Sequence, residues 1–224
     1  MRAGWNADEI NAPDLAKRIE DAGASAVAVH GRTAAQSYTG SSDWDLIARV
    51  AASVSIPVFG SGDCIEPAQM VERLASGVAG VLVGRGALRN PWIFEQAADM
   101  AAGRAPREIT MEERGRFLLA YIEMLQKERV REPEGFRHVA PTGPAPSEFT
   151  GTPTGPAPSE LTGTRASRGH DRWIINKVRA LNAWYTKGIE NGSHLRIAVN
   201  AADSIPHLRA VIEDFFFAWA PVTR

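Results

Sequence analysis

The sequence predicts an α/β fold, the C-terminal portion of a (β/α)8 barrel followed by a small all-helical domain. Three observations carry this expectation. Short apolar runs of strand length alternate with amphipathic helices as far as Gly103, two successive runs end in glycine-rich turns, and beyond Gly103 only helical patterning remains.

The elements follow in chain order. Met1-Arg2-Ala3-Gly4-Trp5 reads as the tail of a strand and its exit loop. Asn11-Ala12-Pro13 starts a helix with Leu15, Ala16, Ile19 and Ala22 on one face and Gly23 as its stop. Ala26-Val27-Ala28-Val29-His30 is a buried strand ending in Gly31-Arg32-Thr33, and a helix from Asp43 turns Trp44, Ile47, Val50, Ala51 and Val54 inward. Ile56 to Phe59 is the next strand. Its turn, Gly60-Ser61-Gly62-Asp63, leads to a helix opened by Glu66-Pro67, with Met70, Val71 and Leu74 inward and Gly77 as its end. Val81 to Val83 is the last strand, followed by Gly84-Arg85-Gly86 and a helix start at Asn90-Pro91.

Alternation of this kind means parallel βα units. Three full strands and one remnant fall short of the eight strands and about 250 residues of a closed barrel. The order predicts the last units of a barrel, spanning residues 1–103, whose earlier units are absent from this sequence.

Thr110-Met111-Glu112-Glu113 is a capping box, and its helix, within 104–132, presents Phe117, Leu118, Tyr121 and Leu125. TGPAPSEFTGTP at 142–153 recurs almost unchanged at 154–164. Rich in Pro, Gly, Ser and Thr and without apolar periodicity, 133–168 reads as a disordered insertion. The helical domain resumes over 169–224. Its helix from about Asp171 repeats Trp173, Ile174, Lys177, Val178, Leu181, Trp184 and Tyr185 at helical period, and two further helices start at Ser193 and Ser204.

Composition narrows the class. A hydrophobic fraction of 44% over 224 residues is that of a globular protein with a real core. No run is long enough for a membrane span, and the N-terminus lacks the apolar core of a signal peptide, so the expected address is cytoplasmic. The single cysteine, Cys64, excludes a disulfide framework, and the five histidines show no metal spacing. Residues 1–164 carry 16 basic and 21 acidic side chains, residues 165–224 carry 9 and 5. A basic tail favours an anionic partner.

The chemistry concentrates at the strand ends. Glycine turns let amides approach an anion closely, and a guanidinium can hold phosphate through two hydrogen bonds. Ser61, Gly62 and Asp63, with Gly84 and Arg85, therefore predict a phosphate cradle like that after strands 7 and 8 of a barrel. The plain alternative is a pair of tight βα turns. His30 can hydrogen-bond a cofactor ring or cap its own loop, and Arg32 can meet an anion. Gln36, Tyr38 and Gly40 continue that loop and can line a pocket. Cys64 follows the phosphate turn and reads as a packing residue. Arg172, Lys177, Arg179, Lys187 and Arg196 form either a solvated face or one that contacts RNA.

Together these residues resemble the bacterial tRNA-dihydrouridine synthases, in particular the B-type branch. The likeness runs through Arg2 to Trp5, His30-Gly31-Arg32-Thr33 with Gln36, Tyr38, Gly40 and Asp43-Trp44, Ile56-Pro57-Val58 before Gly62-Asp63, and Gly84-Arg85-Gly86-Ala87 before Asn90-Pro91-Trp92. In the tail it continues through Lys177 to Trp184-Tyr185, Lys187-Gly188, and Leu195-Arg196 to Asn200.

The resemblance implies an FMN enzyme that reduces uridine in tRNA to 5,6-dihydrouridine, with NADPH as reductant and no metal. It places the flavin on His30, Ser61, Gly62, Asp63, Gly84 and Arg85, and tRNA on Arg32, Lys177, Arg179 and Arg196. Ser61 stands where the family usually has asparagine. The family's catalytic cysteine and flavin lysine fall outside this sequence, so no catalytic residue is assigned, and Cys64 is not that cysteine. A non-catalytic fragment with residual RNA or phosphate binding, or another FMN or phosphate-binding barrel, is the alternative.

Overall fold

The computed structural model describes residues 1–128 and 165–218. The tandem repeat and nearly all of the expected insertion lie outside those residues. The helix after it begins at Arg165, within the expected insertion and ahead of Asp171.

The chain divides into two units, Met1–Thr110 with Arg179–Ile197, and Met111–Val178 with Ala198–Arg224. The segment Arg179–Ile197 thus groups with the strands, although the sequence assigns all of 169–224 to the helical domain.

In the first unit the order is α1 (Ala12–Asp21), β1 (Val27–His30), α2 (Trp44–Ser53), β2 (Val58–Ser61), α3 (Pro67–Leu74), β3 (Gly80–Leu82), α4 (Arg85–Arg89) and α5 (Ile93–Ala101). The strands form one parallel sheet in the order β1-β2-β3. Met1 to Ala3 run beside β1. His30 N–H donates to the Met1 carbonyl at 2.9 Å, and Arg2 pairs with His30 through a single parallel bridge.

Local chemistry sets the helix starts. The Asp43 carboxylate accepts from Leu46 N–H at 2.8 Å, an N-cap of the kind that stabilises a helix by about 1 kcal/mol. Pro67 opens α3, and Gln69 Oε1 accepts the Glu66 N–H at 3.1 Å. The second glycine turn leads into α4, a five-residue helix that the sequence did not announce.

Alternate strand residues point to opposite faces. Val27, Val29 and Val58 pack with Ala12, Ala16, Ile47 and Val50 of α1 and α2. A second cluster joins Met70 of α3 and Ile93 and Ala97 of α5 to Cys64. The other sheet face is more open: Ala28 is exposed and Leu82 is 46% exposed, so these strands are covered on one face rather than both. Leu15 and Leu74, expected inward, are 36% and 42% exposed. Leu15 lies one residue off the buried Ala12–Ala16 stripe, and Leu74 ends its helix.

In the second unit, α6 (Met111–Lys127) packs on α9 (Ile205–Phe217), with Leu118, Ile122 and Leu125 buried on the first and Leu208, Ile212 and Phe216 on the second. Helices α7 (Arg165–Tyr185) and α8 (Gly192–Ala201) each contribute to both units. No helix among the described residues is long and apolar enough to cross a membrane.

Candidate functional site

Parallel pairing sets His30 beside Ser61 and Ser61 beside Leu82, one row of residues at the C-terminal ends of the three strands. That is the end at which barrel folds build their sites. The loops beyond this row close round a pocket of about 180 Å³ whose wall includes His30, Ser61, Gly62, Asp63, Gly84 and Arg85. All six residues that the sequence assigned to the cofactor meet at this one place.

The two glycine positions differ in why they are glycine. Gly62 has φ +126°, and a Cβ there would lie 2.6 Å from the Ser42 Cβ, so the fold itself requires it. Gly84 has negative φ, and a Cβ on it would meet nothing within 4 Å. The fold leaves the space over Gly84 open, on the pocket wall. Outside the helices and strands, the N–H groups of Asp63 and Gly84 find no acceptor among the described residues, whereas the Gly62 N–H continues the β2–β3 ladder beyond Ser61.

Asp63 holds a left-handed backbone, φ +49°, and its carboxylate is crowded with donors. Arg32 Nη2 lies 2.8 Å from Oδ1 and 2.7 Å from Oδ2. Ser42 N–H donates to Oδ2 at 2.7 Å and Arg85 Nη2 to Oδ1 at 3.0 Å. Burial alone would push the Asp63 carboxyl up. The Arg32 and Ser42 hydrogen bonds, with the charges of Arg32 and Arg85, outweigh it and leave the carboxyl below the usual value.

Arg32, expected to contact substrate, is 2% exposed. Besides Asp63, its guanidinium donates to the carbonyls of Thr39 at 3.2 Å and Gly40 at 2.7 Å, tying the loop after β1 to the turn after β2. The anion it meets is Asp63. Arg2 braces the same loop from Nη2 to the Ser37 carbonyl at 2.7 Å.

His30 Nδ1 accepts the Arg32 N–H at 3.3 Å, which puts the proton of the neutral ring on Nε2. Burial, then the charges of Arg2 and Arg32, hold the imidazole below its ordinary value, with Asp63 opposing. Ser61 contributes backbone: its carbonyl accepts from Gly31 N–H at 3.2 Å and Ser42 Oγ at 3.3 Å.

Three residues around Arg85 come from outside the glycine turns. Its guanidinium carbon lies 5.6 Å from the Tyr38 ring centroid and 6.0 Å from that of Trp184, and the Lys187 Nζ lies 3.8 Å from the Trp184 ring. Arg89 Nε donates to the Lys187 carbonyl at 3.3 Å. Sequence reading picks out Tyr38 as a pocket residue, but no local signal brings Trp184 or Lys187 to Arg85. Arg179 and Arg196 belong to the first unit, Arg196 donating to Thr186 Oγ1 at 2.9 Å. Lys177 belongs to the second, its Nζ 5.4 Å from the Trp173 ring. Cys64 is 4% exposed, and burial pushes its thiol up against the opposing charge of Arg73.

The family profile described as dihydrouridine synthase matches residues 1–143. The chain belongs to the dihydrouridine synthase family. It is 47% identical over 106 residues to a probable tRNA-dihydrouridine synthase of Rhodobacter capsulatus, a match covering 47% of this chain and 33% of the relative. A tRNA-dihydrouridine synthase B of Pseudomonas syringae is 40% identical over 127 residues, 56% of this chain and 38% of that one. A probable tRNA-dihydrouridine synthase of Rickettsia conorii is 47% identical over 97 residues, 43% and 29%. The chain spans about a third of the length of these curated relatives. The dihydrouridine synthase match includes both glycine turns and the loop after β1, the segments that meet at the pocket.

Proposed function

We propose that the pocket is the phosphate end of an FMN site, and that the chain is part of a tRNA-dihydrouridine synthase, an NADPH-dependent oxidoreductase acting on uridine in tRNA, built on a (β/α)8 barrel with a helical domain. The observation that carries the reading is Gly84: the fold does not require glycine there, yet the position lines the pocket beside Arg85 with an unused N–H. A phosphate monoester would use that opening. The amides of Asp63 and Gly84 would donate to its oxygens, the Arg85 guanidinium would supply charge, and His30 would offer its Nε2–H to an acceptor.

The fit test is one of size as well as chemistry. A pocket of about 180 Å³ is smaller than the roughly 300–1,000 Å³ of sites that enclose a whole cofactor-sized ligand, so these residues fit the phosphate end and not the full flavin. When bound in such an enzyme, the flavin supplies hydride for reduction of the uracil ring. In this reading the basic side chains Lys177, Arg179 and Arg196 contact tRNA phosphates, and Arg32 shapes the loop between.

A second reading is favoured by Cys64, the one cysteine of the sequence, which is buried with its thiol pushed up. It makes the 224-residue chain a phosphate binder without turnover. Titration of the purified chain with FMN and with riboflavin, which lacks the phosphate, tests the shared core of both. FMN should bind more tightly than riboflavin, and Arg85→Ala should erase the difference; equal binding of the two flavins by the unaltered chain contradicts a phosphate cradle. Formation of dihydrouridine in tRNA by the chain then separates the enzyme from the binder.

A further inference from the structure

A carboxylate on the wall of an anion pocket repels what the pocket is built to hold, and Asp63 is such a group. Its surroundings change that expectation. A carboxylate offers about four lone-pair positions. Here three donors, Arg32 Nη2 shared between both oxygens, Ser42 N–H on Oδ2 and Arg85 Nη2 on Oδ1, place two contacts on each oxygen, so the side chain is engaged with the protein's own groups. One negative charge also stands against two guanidiniums, which leaves the cluster net positive.

The two arginines are not equivalent. The Arg32 side chain is 3% exposed and reaches both carboxylate oxygens, whereas that of Arg85 is 33% exposed and reaches only Oδ1. Arg32 and Ser42 lock the carboxylate, and the carboxylate holds the exposed guanidinium against the pocket. The Tyr38 and Trp184 rings, at 5.6 and 6.0 Å, restrict it further.

We propose that Asp63 is a positioning residue for anion binding: its carboxylate makes no contact with the bound group and instead fixes the Arg85 guanidinium in the orientation that receives a phosphate monoester. This rests on the reading of the pocket as a phosphate cradle. It has a consequence opposite in sign to simple electrostatics. Removing the Asp63 charge makes the pocket more positive, yet weakens phosphate binding, because Arg85 is released to solvent.

The test is the ratio of FMN to riboflavin affinity for the full 224-residue chain, which isolates the phosphate from general damage to the fold. Asp63→Asn should lower that ratio about tenfold, the effect of losing one charge-assisted hydrogen bond from the binding arrangement. Because Asp63→Asn leaves Arg32 buried without a counter-charge, the double variant Asp63→Asn/Arg32→Gln replaces the ion pair by a neutral one and should show the same loss. A ratio that stays unchanged or rises in a folded variant overturns the positioning role. A wild-type chain with no preference for FMN, or a preference that survives Arg85→Ala, overturns the phosphate cradle instead.

Discussion

Arg32 Nη2 lies within 2.8 Å of both carboxylate oxygens of Asp63, joining the loop after β1 to the turn after β2 through a side chain that is almost wholly buried. The pair is buried on one side only, Asp63 keeping 25% of its side chain exposed.

That asymmetry predicts unequal costs. Asp63→Ala strands the buried Arg32 guanidinium and should destabilise the chain by about 3 kcal/mol, the scale of breaking a buried ion pair. Arg85→Ala removes a partly exposed partner and should cost less than about 1 kcal/mol. Urea denaturation of the two variants measures the difference; equal costs would remove Arg32 from its structural role.

His30 gives a pH dependence with a definite sign. Its folded value lies below the ordinary 6.5, so between the two values the unfolded chain binds the proton more readily. The His30 contribution to stability is complete above 6.5 and is lost as pH falls through the folded value. NMR titration of the His30 ring should give a midpoint below 6.5, with the neutral ring protonated on Nε2; a midpoint at or above that value contradicts the surroundings described.

The two pocket glycines should respond differently to alanine. Gly62→Ala meets both a positive φ and the Ser42 side chain, and should destabilise the fold by more than about 1 kcal/mol. Gly84→Ala should leave the melting temperature within a few degrees of the parent yet, on the proposed reading, weaken FMN binding, since the methyl group enters the open space over Gly84. Thermal melts and flavin titration of both variants check this.

Cys64 should be unreactive in the native chain. Burial at 4% exposure and a raised thiol value predict slow labelling by a disulfide reagent, rising steeply on addition of denaturant. Rapid native-state labelling would show the thiol to be open to the pocket.

Much of the first unit was legible because its signals are local. Asp43 caps α2, Pro67 opens α3, and the spacing of Ile47 and Val50 gives the buried stripe. The apolar run predicts the second strand over Ile56 to Phe59, and it forms over Val58–Ser61, since Pro57 has no N–H for the ladder while Gly60 and Ser61 extend it beyond the apolar run. The helix Arg85–Arg89 lay hidden in a glycine-rich run too short to show a period. At the site, residue types at strand ends pointed to the six pocket residues, because barrel chemistry gathers there. The roles within it were not legible. Arg32 and Asp63 are 31 residues apart, and Trp184 reaches Arg85 from a distant helix, so which cation is buried and which is open depends on tertiary contacts.

The most direct measurement is an amide ¹H–¹⁵N NMR titration of the chain with FMN, using riboflavin as the control. The cradle predicts that FMN shifts the Gly62, Asp63, Gly84 and Arg85 amides at concentrations where riboflavin leaves them in place. Shifts confined to other residues, or identical shifts with both flavins, would contradict it.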